Sequence, residues 1–336
     1  MATAIRCRAS PAARSGASLG VSLGSALRRS ATVAATIVTA TLVVFLLLRA
    51  LPGDLAVARL GTDGDPAALA ALRRTYGLDR PLAVQYLDWL WHAVRGDFGV
   101  SMLSGADVGA EIAEKSAVTL PLILASSLIA LAIAVPLGAL AGLRARRWDG
   151  ALVSAVSQVG AAIPPFWIGL VLITAVAVQW RALPAGGFPV DGWADPVVAL
   201  RSLVLPSLTL GAAQAAILVR FVRSTTVEAL GSGWLRTARA TGLGRAEALR
   251  AHGARAIAIP VVSVLGVQVS TLVTGSIVIE QVFALPGIGA MLVRDVGLRD
   301  HIKVQGTVAI IVAVVLLVSA AAEAAVVRLD ARRSTA

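Results

Sequence analysis

Six stretches of at least 18 residues without a charged side chain constrain the fold of this 336-residue chain more than any other feature. A helix needs about 20 apolar residues to cross the roughly 30 Å hydrocarbon layer of a bilayer. Because lipid offers no hydrogen bonds to an open backbone, each stretch predicts one membrane-spanning helix. The predicted fold class is therefore all-α, a polytopic membrane protein with six transmembrane helices. The stretches are Ser30–Leu48, Ser116–Leu143, Gly150–Trp180, Ser202–Val219, Ala256–Ile279 and Val304–Ala322.

The arginines predict how these helices are oriented. An even number of spans places both termini on one side of the membrane. The two termini and the connections 143–150 and 220–255 carry 18 arginines against five acidic residues, whereas the other three connections hold 12 basic and 14 acidic residues. Basic residues are concentrated in cytoplasmic loops. We therefore expect cytoplasmic N- and C-termini and a multi-pass protein of the cytoplasmic membrane.

The spans divide the chain into five predicted parts. Residues 1–29 are expected to form a disordered cytoplasmic tail rather than a cleaved secretory signal, because no small-residue cleavage site follows the first span. Residues 30–51 form the first transmembrane helix, and residues 52–115 form an external segment whose aromatic side chains favour helices at the outer membrane interface. Residues 116–328 form a core of five helices with a cytoplasmic loop at 220–256, and residues 329–336 form a second cytoplasmic tail.

The residue types that carry chemistry are sparse. A phosphate-binding loop needs a lysine between a glycine and a serine or threonine, and neither Lys115 nor Lys303 has those neighbours. The three histidines and the single cysteine show no metal-ligand spacing. We therefore predict that the chain is not an enzyme and binds no cofactor or metal. If ATP and Mg²⁺ drive its function, a partner protein binds them.

The arginine-rich connection between the fourth and fifth spans holds the most informative pattern. Trp234–Gly242 predicts one short helix, Leu243-Gly244 a turn, and Arg245–Ala251 a second short helix. Three interpretations remain open: a DNA-binding helix-turn-helix, a solvated loop that only satisfies the charge rule, and a docking site for a partner protein. The flanking spans would hold a DNA-reading helix against the bilayer, and the small side chains favour close docking of a protein.

Ordered motifs along the chain resemble the inner-membrane permease subunits of ATP-binding-cassette importers, in the dipeptide, oligopeptide and nickel branch. The resemblance runs from about residue 28 to residue 328. Its landmarks, in chain order, are Leu51-Pro52-Gly53-Asp54, Gly77-Leu78-Asp79-Arg80-Pro81, Gly96-Asp97-Phe98-Gly99, Ile163-Pro164-Pro165-Phe166-Trp167, Leu183-Pro184-Ala185-Gly186-Gly187, Thr237-Ala238-Arg239-Ala240-Thr241-Gly242-Leu243, Glu280-Gln281-Val282-Phe283 and Pro286-Gly287-Ile288-Gly289.

The resemblance implies a type I importer permease fold that forms half of a translocation pathway for small peptides, or for nickel or another small solute. It implies four kinds of partner: a second related permease, two ATP-binding subunits or domains, an external substrate-binding protein and the lipid bilayer, with no nucleic acid. It further implies that the ATPase docks on 233–256. The residues expected to mediate this coupling are Thr237, Ala238, Arg239, Ala240, Gly242, Leu243, His252 and Arg255.

Prolines and polar groups within the spans are the candidates for pathway or gating residues. Consecutive prolines inside a helix remove hydrogen bonds and predict a kink. Such a kink either borders a transport pathway or only accommodates the packing of a neighbouring helix. Mid-span glutamines either line a pathway or bond between helices. A carboxylate at a span edge also suggests an ion-coupled secondary transporter, a weaker alternative because a proton relay needs several such groups. The candidates are Pro164, Pro165, Phe166, Gln214, Gln268 and Glu280.

Overall fold

A computed structural model describes residues 13–50, 66–75, 77–101, 103–249 and 253–331. In these ranges the chain forms twelve α-helices and one π-helical segment, and no strand. The helices are α1 (Ala13–Ala50), α2 (Pro66–Thr75), α3 (Leu82–Ala93), α4 (Val108–Leu143), α5 (Trp148–Ala162), α6 (Pro165–Leu172, continued by the π-helical Ile173–Gln179), α7 (Pro196–Gly231), α8 (Gly233–Ala240), α9 (Arg245–Ala248), α10 (Ala254–Val282), α11 (Ile288–Gly297) and α12 (His301–Ala331).

The six predicted spans correspond to apolar helices in the structure. Five helices are long and apolar enough to cross a membrane: the Ser30–Ala50 part of α1, α4, α7, most of α10 and most of α12. The third predicted span corresponds to the pair α5 and α6, which pass the same test only when they are taken together as one bent span. The all-α polytopic membrane fold is thus confirmed.

The third span is broken in its middle. Helix α5 ends at Ala162, α6 begins at Pro165, and the two helices are bent by 97°. Pro164 and Pro165 supply no N–H groups at the break, and Ile163 has the extended backbone that a residue before proline prefers. The kink that the sequence predicts is therefore present, while its relation to a transport pathway remains a prediction.

Helix α7 is the centre of the bundle. It packs against α4 more extensively than any other pair of helices pack together. Glycines allow this close approach: a Cβ on Gly138 would collide with Val222, and a Cβ on Gly142 would collide with Thr226. Val222 and Thr226 are both fully buried. Small residues at the contacts let membrane helices approach closely where lipid supplies no hydrophobic drive.

Two of the predicted boundaries differ from the structure. Residues 13–29, which are expected to be disordered, continue the helix of the first span, because extending a formed helix is easier than starting one. Residues 108–115, assigned to the external segment, form the first two turns of α4, where the Asp107 side chain caps the helix by accepting from the Ala110 N–H at 2.6 Å. Charge ends the apolar stretch there but does not end the helix. Residues 1–12, 51–65 and 332–336 lie outside the described residues.

Helix α3, in the external segment, is anchored to the first span. The buried Tyr86 hydroxyl donates to the Val38 carbonyl oxygen at 2.9 Å and lies 3.0 Å from Thr41 Oγ1. On the other side of α3, Leu87 and Trp91 are each more than 60% exposed. The exposed side of α3 also carries Asp88 and His92, so large apolar and charged side chains lie together on its outer surface.

Candidate functional site

The cytoplasmic connection folds as a small helical hairpin with a core of its own. Leu235 and Ala238 of α8 are 3% and 8% exposed, and Ala248 of α9 is completely buried. Leu230 and Leu243 pack against these three residues. The two short helices therefore support each other where they project from the end of α7.

The hairpin exposes small side chains and backbone at its tip. Thr237, Ala240 and Thr241 are exposed, as is the turn residue Gly242. Gly242 has φ +94°, a backbone conformation that residues other than glycine rarely adopt. No atom lies within 4 Å of a Cβ placed on this residue. A partner can thus approach the backbone of this turn closely.

The residues expected to mediate coupling separate into two groups. Thr237, Ala240 and Gly242 face outward and are available to a partner. Ala238 and Leu243 pack inside the hairpin, so they hold its shape. The three-residue spacing between Leu235 and Ala238 is the sequence signal that could have revealed this inward face. The remaining expected residues lie outside the described part: His252 entirely, and Arg239 and Arg255 in their side chains.

The proline break carries exposed pathway candidates. Pro164 and Phe166 are exposed, Pro165 is half-buried, and the neighbouring Trp167 is 56% exposed with its ring centroid 6.1 Å from that of Phe166. These side chains form an aromatic surface on the outside of this chain, next to the bend in the third span.

The polar pathway candidates, in contrast, lie inside the chain. Gln214 is 5% exposed, Gln268 is 7% exposed and Glu280 is fully buried. They face neighbouring helices, so they do not line the outer surface of a half-transporter. The sequence did not single out the exposed hydroxyl face of α10, because serine and threonine are common in apolar helices. That face carries Ser263, Ser270, Thr271 and Thr274.

Glu280 fixes the start of α11. Its Oε1 accepts a hydrogen bond from Thr119 Oγ1 at 2.7 Å, and its Oε2 accepts one from the Ala290 N–H at 2.9 Å. Thr119 Oγ1 in turn accepts from the Ile288 N–H at 2.9 Å. A carboxylate and a hydroxyl thus satisfy N–H groups of the first turn, where the helix dipole favours negative charge. Glu280 therefore joins α4, α10 and α11.

Two glycines make room for this carboxylate. A Cβ on Gly287 would collide with the Glu280 carboxyl group, and a Cβ on Gly289 would collide with Ile277 and come within 3.0 Å of Glu280 Oε2. The motif Pro286-Gly287-Ile288-Gly289 is thus shaped by the group that it surrounds.

A buried charge cluster fixes the other end of α11. Lys303 Nζ contacts Glu111 and lies 3.3 Å from Asp295 Oδ2, and Lys303 and Asp295 are less than 5% exposed. Next to it, Asp300 Oδ2 accepts from Ser101 Oγ at 2.5 Å. No local sequence pattern indicates this cluster, because its members lie outside the charge-free stretches and far apart along the chain.

Comparison with known proteins identifies the family of this chain. Residues 134–335 match the binding-protein-dependent transport system inner membrane component, and residues 23–123 match the N-terminal membrane component of such systems. The chain belongs to this family. It is therefore a multi-pass permease subunit of an importer of the ATP-binding-cassette type, and not itself an enzyme.

Curated relatives of this permease are similar to it over most of their length. The glutathione transport system permease protein GsiC of Salmonella typhimurium (strain LT2) is 37% identical over 273 residues, which cover 81% of this chain and 86% of that protein. Proteins of the same name from Salmonella paratyphi A and Escherichia coli (strain K12) show the same identity and coverage.

Proposed function

We propose that this permease is one half of the membrane channel of an importer for small peptides, and that it couples transport to a separate ATPase through the hairpin α8–α9. The hairpin is the observation that carries the proposal. It has its own small core, it projects from the central helix α7, and its tip exposes small side chains and a glycine turn. Closure of the ATPases would push on this hairpin and, through α7, on the helices around it.

The partners follow from the family. We infer a second related permease, two ATP-binding subunits or domains that bind ATP and Mg²⁺, and an external binding protein that delivers the substrate. The ligand-driven change is a shift between inward- and outward-facing populations, which requires the partners to bind the two states with different affinity. This chain supplies the hairpin and half of the pathway surface.

The exposed residues of the third and fifth spans are our candidates for the pathway. Pro164 and Phe166 flank the bend, and the hydroxyl face of α10 offers hydrogen-bonding groups on an otherwise apolar helix. Gln214, Gln268 and Glu280 are assigned to bonding and packing within the chain, because they are buried. For Glu280 this weakens the ion-coupled alternative, since both of its oxygens already accept hydrogen bonds.

The substrate class rests on the relatives. The names of these relatives specify glutathione, a tripeptide, and we propose a small peptide for this chain as well. Nickel or another small solute, carried by an external binding protein of the same kind, remains the alternative.

Purification of the tagged chain from native membranes in mild detergent tests the coupling. We expect an ATPase with a phosphate-binding loop to be recovered in stoichiometric amount. Thr237→Cys should cross-link to it, because Thr237 is exposed on the hairpin, whereas a cysteine at the exposed Val94 on the outer side should not. Purification of the chain alone as a stable homo-oligomer would contradict the proposal.

A further inference from the structure

An apolar groove of about 390 Å³ lies in the cytoplasmic half of the bundle, where α4, α5, α6 and α7 meet. Leu137 of α4, Val156 of α5 and Ala216 of α7 are among the residues that line it. Leu137 is 40% exposed and Val156 is 62% exposed, so the groove opens to the outside of this chain. The residues described on its walls belong neither to the hairpin nor to the pathway candidates.

The walls of the groove suit a hydrocarbon chain better than a polar solute. The one polar side chain described there is Ser157, whose hydroxyl already donates to the Ser154 carbonyl oxygen at 2.9 Å. From Leu152 to Gly160 the groove follows α5 for about 12 Å, at the helical rise of 1.5 Å per residue. A peptide would leave its own amide groups unpaired in such a groove, whereas an acyl chain has none to satisfy.

An arginine follows the groove on α7 toward the cytoplasm. Arg223 lies seven residues after Ala216 and four after Val219, so it is on the same face of the helix, one turn beyond the groove. The connection 144–147 between α4 and α5 lies next to it, because a Cβ on Gly142 would come within 3.1 Å of the Arg223 carbonyl oxygen. The cytoplasmic end of the groove is therefore close to this connection.

The connection adds three more exposed arginines, Arg144, Arg146 and Arg147. The acidic residue beside them is Asp149, which accepts from Arg144 Nη1 at 2.6 Å and lies 3.9 Å from Arg147 Nε. One carboxylate thus faces three guanidinium groups, and the cluster keeps an excess of positive charge. Trp148 is 76% exposed in the same place. Exposed tryptophan and arginine at the end of a span are typical of the cytoplasmic membrane interface, where arginines attract anionic headgroups.

We propose that the groove holds an acyl chain of an anionic phospholipid from the cytoplasmic leaflet, and that Arg223 and the arginines of the connection 144–147 bind its phosphate. A guanidinium group can donate to two phosphate oxygens at once. A zwitterionic lipid also carries an ammonium group, which these arginines repel. The bound lipid joins α5 to α4 and α7 just before the bend in the third span.

Lipid binding to the complex, purified together with its partners, tests this proposal. Delipidated complex is titrated with phosphatidylglycerol or phosphatidylethanolamine in detergent, and bound lipid is counted by native mass spectrometry. We expect phosphatidylglycerol to bind about tenfold more tightly, with a preference that shrinks as salt is added. Equal affinity for the two lipids would overturn the proposal, and this comparison needs only the wild type.

A pair of double variants tests the headgroup contacts. Arg146→Gln with Arg223→Gln should lower the affinity for phosphatidylglycerol about tenfold. Arg181→Gln with Arg201→Gln removes two exposed arginines from the outer side and should leave that affinity unchanged. Equal affinities in the two double variants would contradict binding of the phosphate at the cytoplasmic arginines.

A pair of single variants on α5 tests the groove without changing any charge. Val156→Trp fills the groove and should lower the affinity for phosphatidylglycerol about tenfold. Val159→Trp is the control, because Val159 is equally exposed at 63% but lies outside the residues described on the groove walls. Equal binding in the two variants would show that charge alone holds the lipid and would overturn the proposal. Cross-linking of Val156→Cys to a second permease in native membranes would also overturn it and assign the groove to a protein interface.

Discussion

The cytoplasmic hairpin α8–α9 and the outer helix α11 are both short elements between spans, but they are held in opposite ways. The hairpin rests on a few small apolar contacts, chiefly Leu235, Ala238 and Ala248. Helix α11 is fixed at its start by the buried carboxylate of Glu280 and at its end by the ion cluster around Lys303.

This difference indicates that the outer end of the permease is more rigid than the cytoplasmic hairpin. Buried ion pairs and charge-assisted hydrogen bonds have few alternative arrangements, because a displaced partner leaves an uncompensated charge. A small apolar core can shift at lower cost. We therefore expect α4, α10, α11 and α12 to move as one body at the outer side, while the hairpin adapts to a docked ATPase.

The largest effect is expected at the ion cluster. Lys303→Met leaves Glu111 and Asp295 without their shared counter-charge and should lower the free energy of unfolding by about 3–5 kcal/mol. Unfolding of the purified protein in detergent measures this loss. The control Lys115→Met removes a pair with the exposed Glu114 and should cost less than about 1 kcal/mol. Equal losses in the two variants would show that the cluster does not fix the outer end.

The next effect is expected at the glycines around Glu280. Gly287→Ala places a methyl group against the Glu280 carboxyl group and should destabilise the protein by about 1–3 kcal/mol. Gly297→Ala, at the other end of α11, meets no atom within 4 Å and should be neutral or slightly stabilising. Unfolding in detergent measures both stabilities. Unchanged stability in Gly287→Ala would contradict the idea that the Glu280 carboxylate requires glycine at this position.

At the cytoplasmic side, a substitution in the hairpin should lower stability less than the two substitutions above but should strongly reduce transport. Gly242→Ala forces a side chain into φ +94° and should cost about 1 kcal/mol, while lowering ATP-driven uptake severalfold because the docking turn is distorted. Gly244→Ala, two residues away with no positive φ and no close atom, is the control. Uptake and ATPase activity of the reconstituted complex are measured together. Normal coupling in Gly242→Ala would count against docking at this turn.

The smallest expected effect is an increase in the stability of the protein. Ala284 has φ +49° in the turn after α10, where glycine is less strained. Ala284→Gly should therefore stabilise the outer end by about 0.5 kcal/mol, read as a small rise in the unfolding midpoint. A clear loss of stability would indicate that the Ala284 methyl group makes packing contacts that outweigh its strain.

The sequence predicts the spans well because lipid leaves an apolar helix few alternatives. Charge-free stretches located the five long apolar helices and the bent pair α5 and α6, and the prolines located the 97° break. Span ends were less predictable, because helices such as α4 continue past the first charged residue into Val108–Lys115.

The site residues were predictable only in part. The resemblance located the hairpin, but the inward orientation of Ala238 depends on contacts within it. Likewise, Gln214 and Gln268 are visible as mid-span polar residues, yet only the packing of α7 and α10 shows that they are buried. The ion cluster joins Glu111 to Lys303 across most of the chain, and no local pattern indicates such a contact.

Reconstituted transport tests the central claim most directly. The complete complex is placed in liposomes, with the external binding protein and a labelled small peptide on one side and ATP with Mg²⁺ on the other. Our account predicts peptide uptake that requires both ATP and the binding protein and that falls in Gly242→Ala but not in Gly244→Ala. Uptake by this chain alone, driven by an ion gradient without ATP and abolished by Glu280→Gln, would contradict it.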